Sequence, residues 1–153
     1  GLTEADSITA GSAHTCATRV DHSAVCWGSN AYNQLGNDSD TSSSTLVPVS
    51  GLTEASSIEA GGSHTCATTT VDTVVCWGNN VFGGPADPTG KTRIPVPVAG
   101  LADVATLAGG AAHTCAVRST TTATCWGNNF AGQLGDGSLR DRFQAGEPVV
   151  ALR

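Results

Sequence analysis

Along the chain, apolar and small residues alternate with polar ones in short runs, and no window carries a helical stripe. Ser7 to Ala10, Ser57 to Ala60 and Val104 to Leu107 read as first strands. Each is broken by glycine, at Gly11, at Gly61-Gly62 and at Gly109-Gly110. A second strand runs from about His14 to Thr18 and a third from about Ser23 to Trp27. A fourth extended piece surrounds Leu46 to Val49, Ile94 to Val98 and Pro148 to Val150. Its prolines cannot donate to a central ladder and suit a sheet edge. The stretch Asp40 to Thr45 is locally biased and reads as a loop.

The pattern recurs three times, at a spacing of 50 and then 49 residues, as the numbering of His14, His64 and His113 shows. The copies hold His14-Thr15-Cys16-Ala17 with Cys26-Trp27-Gly28, His64-Thr65-Cys66-Ala67 with Cys76-Trp77-Gly78, and His113-Thr114-Cys115-Ala116 with Cys125-Trp126-Gly127. Asn30, Asn80 and Asn129 follow at corresponding places. One repeat domain over residues 1–153 is expected, with units 1–50, 51–99 and 100–153. Four short strands in each such unit predict an all-β fold of propeller-type blades, three of them forming a partial propeller or an assembling arc. A β-solenoid is the competing architecture. A blade buries its faces only by stacking on neighbours.

All six cysteines lie in C-x9-C pairs. If Cys16 stands opposite Cys26 in an antiparallel hairpin, Ala17 faces Val25, Thr18 faces Ala24 and Arg19 faces Ser23, which leaves Val20-Asp21-His22 as a three-residue loop. The same arithmetic leaves Thr70-Val71-Asp72 and Ser119-Thr120-Thr121 in the other copies. Directly opposed residues come within bridging range, so the expected disulfides are Cys16–Cys26, Cys66–Cys76 and Cys115–Cys125. Closing so short a loop stabilises by roughly 2–3 kcal/mol in chain-entropy models. Bridges persist in oxidising compartments, which leads to the expectation of an extracellular or cell-surface location. Six buried free thiols in a cytosolic protein are the alternative.

Composition narrows the function. Thirteen acidic against seven basic side chains give a net charge of −6, which argues against nucleic-acid binding and against docking on an anionic bilayer. No apolar run approaches the roughly 20 residues needed to cross a membrane as a helix, so no membrane insertion is expected. Met is absent and the chain starts at Gly1, which reads as a processed product or an excised piece, with a secretory leader already removed. The His–Cys spacings do not suit zinc. Asn37-Asp38-Ser39-Asp40 and Asp136-Gly137-Ser138 read as turns before they read as calcium ligands. No phosphate-cradling motif occurs, so neither metal nor cofactor is expected. His14, His64 and His113 recur in every copy, as residues serving the blade do, and are expected to hydrogen-bond at blade junctions. Trp27, Trp77 and Trp126 point to the face opposite the adjoining Cys and are expected to pack between blades, with a row of glycan-stacking rings as the alternative. No unrepeated polar cluster suggests an enzyme. Asn37-Asp38-Ser39 also fits an N-glycosylation acceptor, and Asp136 at the matching place implies that blade packing does not need the Asn.

The run Trp-Gly-x-Asn-x-x-Gly-Gln-Leu-Gly resembles the repeats of the regulator of chromosome condensation. Copy three carries it as Trp126-Gly127-Asn128-Asn129 and Gly132-Gln133-Leu134-Gly135-Asp136-Gly137. Copy one keeps Trp27-Gly28, Asn30 and Gln34-Leu35-Gly36 but has Asn33 where the family prefers Gly. Copy two has Val81-Phe82-Gly83-Gly84-Pro85 and lacks Gln-Leu-Gly. The resemblance is to a bacterial, extracellular type with paired cysteines. It implies four-stranded blades with the motif-rich strands toward the propeller interior, and full rings of seven, so that three blades stand as part of a longer protein, as a ring of several copies, or as an open chain of arcs. Complementary ends favour head-to-tail self-association. The function expected is a non-enzymatic extracellular scaffold or binding protein that contacts protein or glycan through rim loops. A structural subunit of an extracellular filament or surface layer is the alternative, and a regulatory exchange factor or enzyme inhibitor of the same fold a more distant one.

Overall fold

A computed structural model describes residues 1–79 and 90–145. Blade 1 contains β1 (Ala5–Ala10), β2 (His14–Arg19), β3 (Ala24–Gly28) and β4 (Ser43–Pro48). Blade 2 contains β5 (Ala55–Ala60), β6 (His64–Thr69), β7 (Val74–Asn79) and β8 (Lys91–Pro97). Blade 3 contains β9 (Val104–Gly109), β10 (His113–Arg118) and β11 (Ala123–Gly127). Each blade is an antiparallel sheet whose strands lie side by side in chain order. Among the described residues these are two four-stranded units and one three-stranded unit of an open propeller arc. The fourth strand read at Pro148 to Val150 lies outside the described residues, as do Asn80 and the Val81 to Pro85 segment.

The hairpin register follows from the cysteine spacing. Cys16 pairs with Cys26, Cys66 with Cys76 and Cys115 with Cys125 along the ladders, and each pair is a disulfide. The connecting loops are three residues long in the sense that Arg19 N–H donates to Ser23 O at 2.9 Å and His22 N–H to Arg19 O at 2.9 Å. The third loop residue takes the left-handed conformation, at φ 63° for His22, 59° for Asp72 and 66° for Thr121. A type I turn followed by a left-handed residue has the twist that suits a right-twisted hairpin. Thr121 does so despite its branched Cβ, which shows that the hairpin register overrides local preference.

Among the described residues proline falls at the outer strands only. Pro48 and Pro97 end β4 and β8, where one ladder face is unpaired. At the opposite edge, the first strands of neighbouring blades meet: β5 packs against β1 and β2, and β9 against β5 and β6. The inner edge of the arc is therefore β1, β5 and β9, with the motif-bearing strands one and two places further out, which refines the expectation that the motif-rich strands face the interior.

The hydrophobic core consists of the blade junctions. Cys16, Cys26, Ala24, Leu35 and Val49 of blade 1 pack against Leu52, Ala55, Ile58, Ala67, Val75 and Trp77 of blade 2. Cys66, Cys76, Val74 and Val98 of blade 2 pack in turn against Leu101, Leu107, Ala116 and Trp126 of blade 3. Strand alternation puts the disulfide and the Trp on opposite faces. Each blade thus presents a disulfide on its trailing face to the Trp on the leading face of the next.

Candidate functional site

Two structures built by the repeat could carry function: the bonded junctions between blades and the long loops that follow the third strands. At the first junction His14 Nε2 lies 2.9 Å from Thr65 Oγ1. The Thr65 hydroxyl donates its single hydrogen to Gln34 O at 2.8 Å, so Thr65 can only accept from His14. His14 is therefore the Nε2–H tautomer, and its buried Nδ1 has no hydrogen-bond partner among the described residues. Trp77 Nε1–H donates to the same Gln34 carbonyl at 2.9 Å. At the second junction His64 Nε2 lies 2.8 Å from Thr114 Oγ1. Burial pushes both imidazoles down from the ordinary 6.5 to about 4, with His14 and His113 adding charge repulsion at His64.

The glycines that end the first strands explain how the rings fit. A side chain at Gly11 would bring its Cβ within 2.7 Å of His14 Nδ1, and Gly61 and Gly110 stand in the same way against His64 and His113. Gly36 does the same for the second aromatic, since its Cβ would fall 2.6 Å from Trp77 Nε1. The structure places Trp77 and Trp126 inside junctions at 0% and 1% exposure, which leaves no ring face for a glycan to stack on. Trp27 is half-buried, beside Leu2 and Leu46. His14 and His64 are buried at junctions, and His113 is half-buried on the trailing side of blade 3.

The long loops of blades 1 and 3 are organised by one buried asparagine each. Asn30 Oδ1 accepts from Leu35 N at 2.9 Å, and its Nδ2 donates to Asn37 Oδ1 at 3.2 Å and Ser39 O at 2.7 Å. Asn129 repeats this with Leu134 N at 3.0 Å, Asp136 Oδ1 at 3.2 Å and Ser138 O at 3.0 Å. Asn37 and Asp136 do the same job with the same side-chain oxygen, so the loop uses that position but takes either residue there. Asp136 also pairs with Arg142 at 3.1 Å, and hydrogen bonds from Ser138 hold its carboxyl below the usual carboxylate range.

The loop tips differ. The blade 1 tip lies over blade 2: Lys91 sits 5.1 Å from the Tyr32 ring centre and donates to Ala31 O at 3.2 Å, while Arg93 pairs with Asp40 at 3.6 Å. At the blade 3 tip the residues matching Ala31 and Asp40 are Phe130 and Leu139, exposed at 76% and 70%. This exposed aromatic rim was not readable from the repeat, which makes the two loops look equivalent. No cluster of His, Cys, Asp and Glu able to hold a metal occurs among the described residues.

Comparison with known proteins fits this geometry. Two models of the regulator of chromosome condensation (RCC1) repeat match, one over residues 21–68 and the other over 5–34 and 55–83, so that together they span residues 5–83, just over half of the chain. The chain belongs to the RCC1 repeat family. Among solved structures it resembles human WBSCR16, with a TM-score of 0.84 at 21% identity over 95% of this chain. It equally resembles yeast RCC1 (Prp20) bound to Kap60, and Prp20p of Saccharomyces cerevisiae described with its binding to Gsp1p and histones, each with a TM-score of 0.84 at 21% identity over 98% of this chain. The chain spans 38% to 39% of the length of these structures. No curated protein matches.

These findings correct the expected setting of this RCC1-repeat chain. The similar structures are those of yeast RCC1 with Kap60 and of Prp20p, described with its binding to Gsp1p and histones, and none of these titles describes an extracellular scaffold. The extracellular or cell-surface location and the extracellular scaffold are therefore withdrawn, together with the filament and surface layer. The error came from taking paired cysteines as a marker of compartment. Cys16, Cys26, Cys66 and Cys76 are buried disulfide residues that pack against the next blade, a packing role that does not specify a compartment.

Proposed function

We propose that the chain is a regulatory protein-binding arc of the exchange-factor class, acting through the rim that carries the long loops and without covalent chemistry. The observation that carries this reading is the Asn129-anchored loop of blade 3, held at its base and exposing Phe130 and Leu139 at the tip. Binding residues concentrate on loops held by a rigid scaffold. Exposed aromatic tips of this kind are what a protein interface buries at its centre. An exchange factor works by differential binding: it holds the nucleotide-free form of a small GTPase better than the loaded form and so shifts its population. That needs a firm surface and no catalytic group. The histidines support the same reading, because His14 spends its one N–H on a hydroxyl already committed to Gln34 O.

The test is binding of the 153-residue chain to purified Gsp1p, with and without nucleotide, followed by release of a fluorescent GDP. Tighter binding of the nucleotide-free form and faster release are expected, with both weakened at least ~10-fold by Phe130→Asp. Equal affinity for both forms, or binding that ignores Phe130→Asp, overturns the reading.

A further inference from the structure

We propose that the cavity between blades 2 and 3 is a binding site for a short extended segment of a partner protein, which sets a backbone carbonyl on Trp126 and a glycine against its ring. The site does not involve Phe130 or Leu139, so the inference does not rest on the regulatory reading.

At the first junction two donors converge on one acceptor. Thr65 Oγ1–H and Trp77 Nε1–H reach Gln34 O at 2.8 and 2.9 Å. Thr114 and Trp126 are the same residue types at the same places of blade 3. No described residue takes the part of Gln34 O for them. Trp126 is 1% exposed, yet its indole N–H donates to none of the described residues. With Thr114 accepting from His64 Nε2 at 2.8 Å, as Thr65 accepts from His14, the Thr114 hydroxyl hydrogen is also left over. Two buried donors without an acceptor are costly, and a ligand oxygen placed between them removes the cost.

A cavity of about 230 Å³ opens at this point, lined by Tyr32, Ser63, His64, Asn79, Thr114 and Trp126. Small-molecule sites are mostly ~300–1,000 Å³, so this one suits a few residues of chain. The seal of the first junction depends on two residues that blade 2 lacks. Leu35 N–H donates to Asn30 Oδ1 at 2.9 Å, and Gly36, at φ 67°, lies against Trp77, where an added Cβ would fall 2.6 Å from Nε1. Blade 2 carries Pro85 and Ala86 at these places. Proline has no N–H to give, and alanine brings the Cβ that the indole excludes. The second junction thus keeps the donors of the seal without the residues that closed the first.

The chemistry of the cavity selects the ligand. No Lys or Arg lines it among the described residues, so a carboxylate would lose its hydration without meeting a fixed positive charge. An amide carbonyl is neutral and accepts two hydrogen bonds, as Gln34 O does. The residue two places on is glycine, as Gly36 is, because the ring leaves no space for a Cβ. The residue between is apolar: its counterpart Leu35 is buried with Cys16, Cys26 and Trp77, and Cys66, Cys76 and Trp126 stand at those places in the second core.

The probe is a blocked peptide, acetyl-Asn-Gln-Leu-Gly-Asn-amide, with the sequence of residues 33–37 of this chain. It is titrated into the full chain labelled with nitrogen-15, and the indole N–H resonances are followed. Trp126→Phe assigns the Trp126 signal by its disappearance. In the free chain that signal is expected upfield of the Trp77 signal, and the peptide is expected to move it downfield, toward that of a hydrogen-bonded indole, while Trp77 stays. The same peptide with alanine for glycine is expected to bind the unaltered chain at least ~10-fold more weakly, a comparison that needs no variant to fold. A Trp126 signal that already coincides with that of Trp77, a peptide that moves all the indoles alike or none of them, or equal binding of the glycine and alanine peptides overturns the proposal. The first of these outcomes assigns the cavity to the chain's own residues. No GTPase is present, so this result and that of the nucleotide-release test are read separately.

Discussion

The leading faces of blades 1 and 2 share the same apolar residues and meet different fates. Trp77 is sealed against Gly36 with its N–H on Gln34 O, whereas Trp27, in the same motif, is half-buried beside an open cavity. Ile58 is buried and Ile8 is not. In a stacked repeat, burial belongs to the junction and not to the residue: each blade supplies half of two cores and completes neither. Any difference in energetic weight between matching residues of the two blades therefore measures the neighbour.

Truncating the tryptophans breaks the comparison most strongly. Trp77→Ala removes a fully buried indole and its hydrogen bond, and is expected to cost about 3–5 kcal/mol, the range for large-to-small core changes. Trp27→Ala is expected to cost about 1 kcal/mol, as a partly exposed position does. Urea unfolding of both variants, compared at their midpoints, supplies the check. Equal losses would mean that the blade itself, and not its neighbour, holds the ring.

Much of this was legible in the residues because the repeat states every constraint more than once. The C-x9-C spacing defined the hairpin register, and the left-handed loop residues His22, Asp72 and Thr121 are its direct consequence. Alternation along β3, β7 and β11 put Cys and Trp on opposite faces. What the spacing could not state was direction. That His14 reaches forward to Thr65, while Trp77 reaches back to Gln34, depends on how one sheet sits on another. The loop anchors were also hidden: Asn30 and Asn129 stood out as recurrent, but their role as caps over backbone amides appears only when the loop closes on itself. Compartment was misread, because the C-x9-C spacing reports a hairpin pairing and not where the chain resides.

The junction histidines give a pH form of the same contrast. His14 and His64 are pushed down to about 4 in the folded chain, below the ordinary 6.5 of an exposed imidazole. Between these values the unfolded chain binds protons that the folded one refuses, so stability falls as pH drops from about 6.5 to about 4 and levels off below. At 1.36 kcal/mol per unit, His64 accounts for about 3 kcal/mol of that loss. His64→Gln keeps a donor for Thr114 but does not titrate. Thermal unfolding followed from pH 7 to pH 4 is expected to show a shallower decline in this variant than in the wild type. An unchanged slope would place the acid sensitivity away from the second junction.

The smallest effect sharpens the comparison at the loops. Asn33 of blade 1 has φ 64° and Gly132 of blade 3 has φ 76°, so the two loops turn in the same left-handed conformation although one lacks the glycine. Asn tolerates this region because its short polar side chain finds local hydrogen bonds, whereas Ala pays the steric penalty of roughly 1 kcal/mol. Asn33→Gly is therefore expected to leave stability within about 0.5 kcal/mol of the wild type, and Asn33→Ala to lower it by about 1 kcal/mol. Gln34, which receives both Thr65 and Trp77, follows directly in the chain, so a distorted turn is felt at the junction. The check is the emission of Trp77: it should stay that of a buried indole in Asn33→Gly and shift toward that of an exposed one in Asn33→Ala. If both variants keep the buried emission and the same midpoint, the loop seats Trp77 through its asparagine anchor alone, and the turn contributes nothing to the junction.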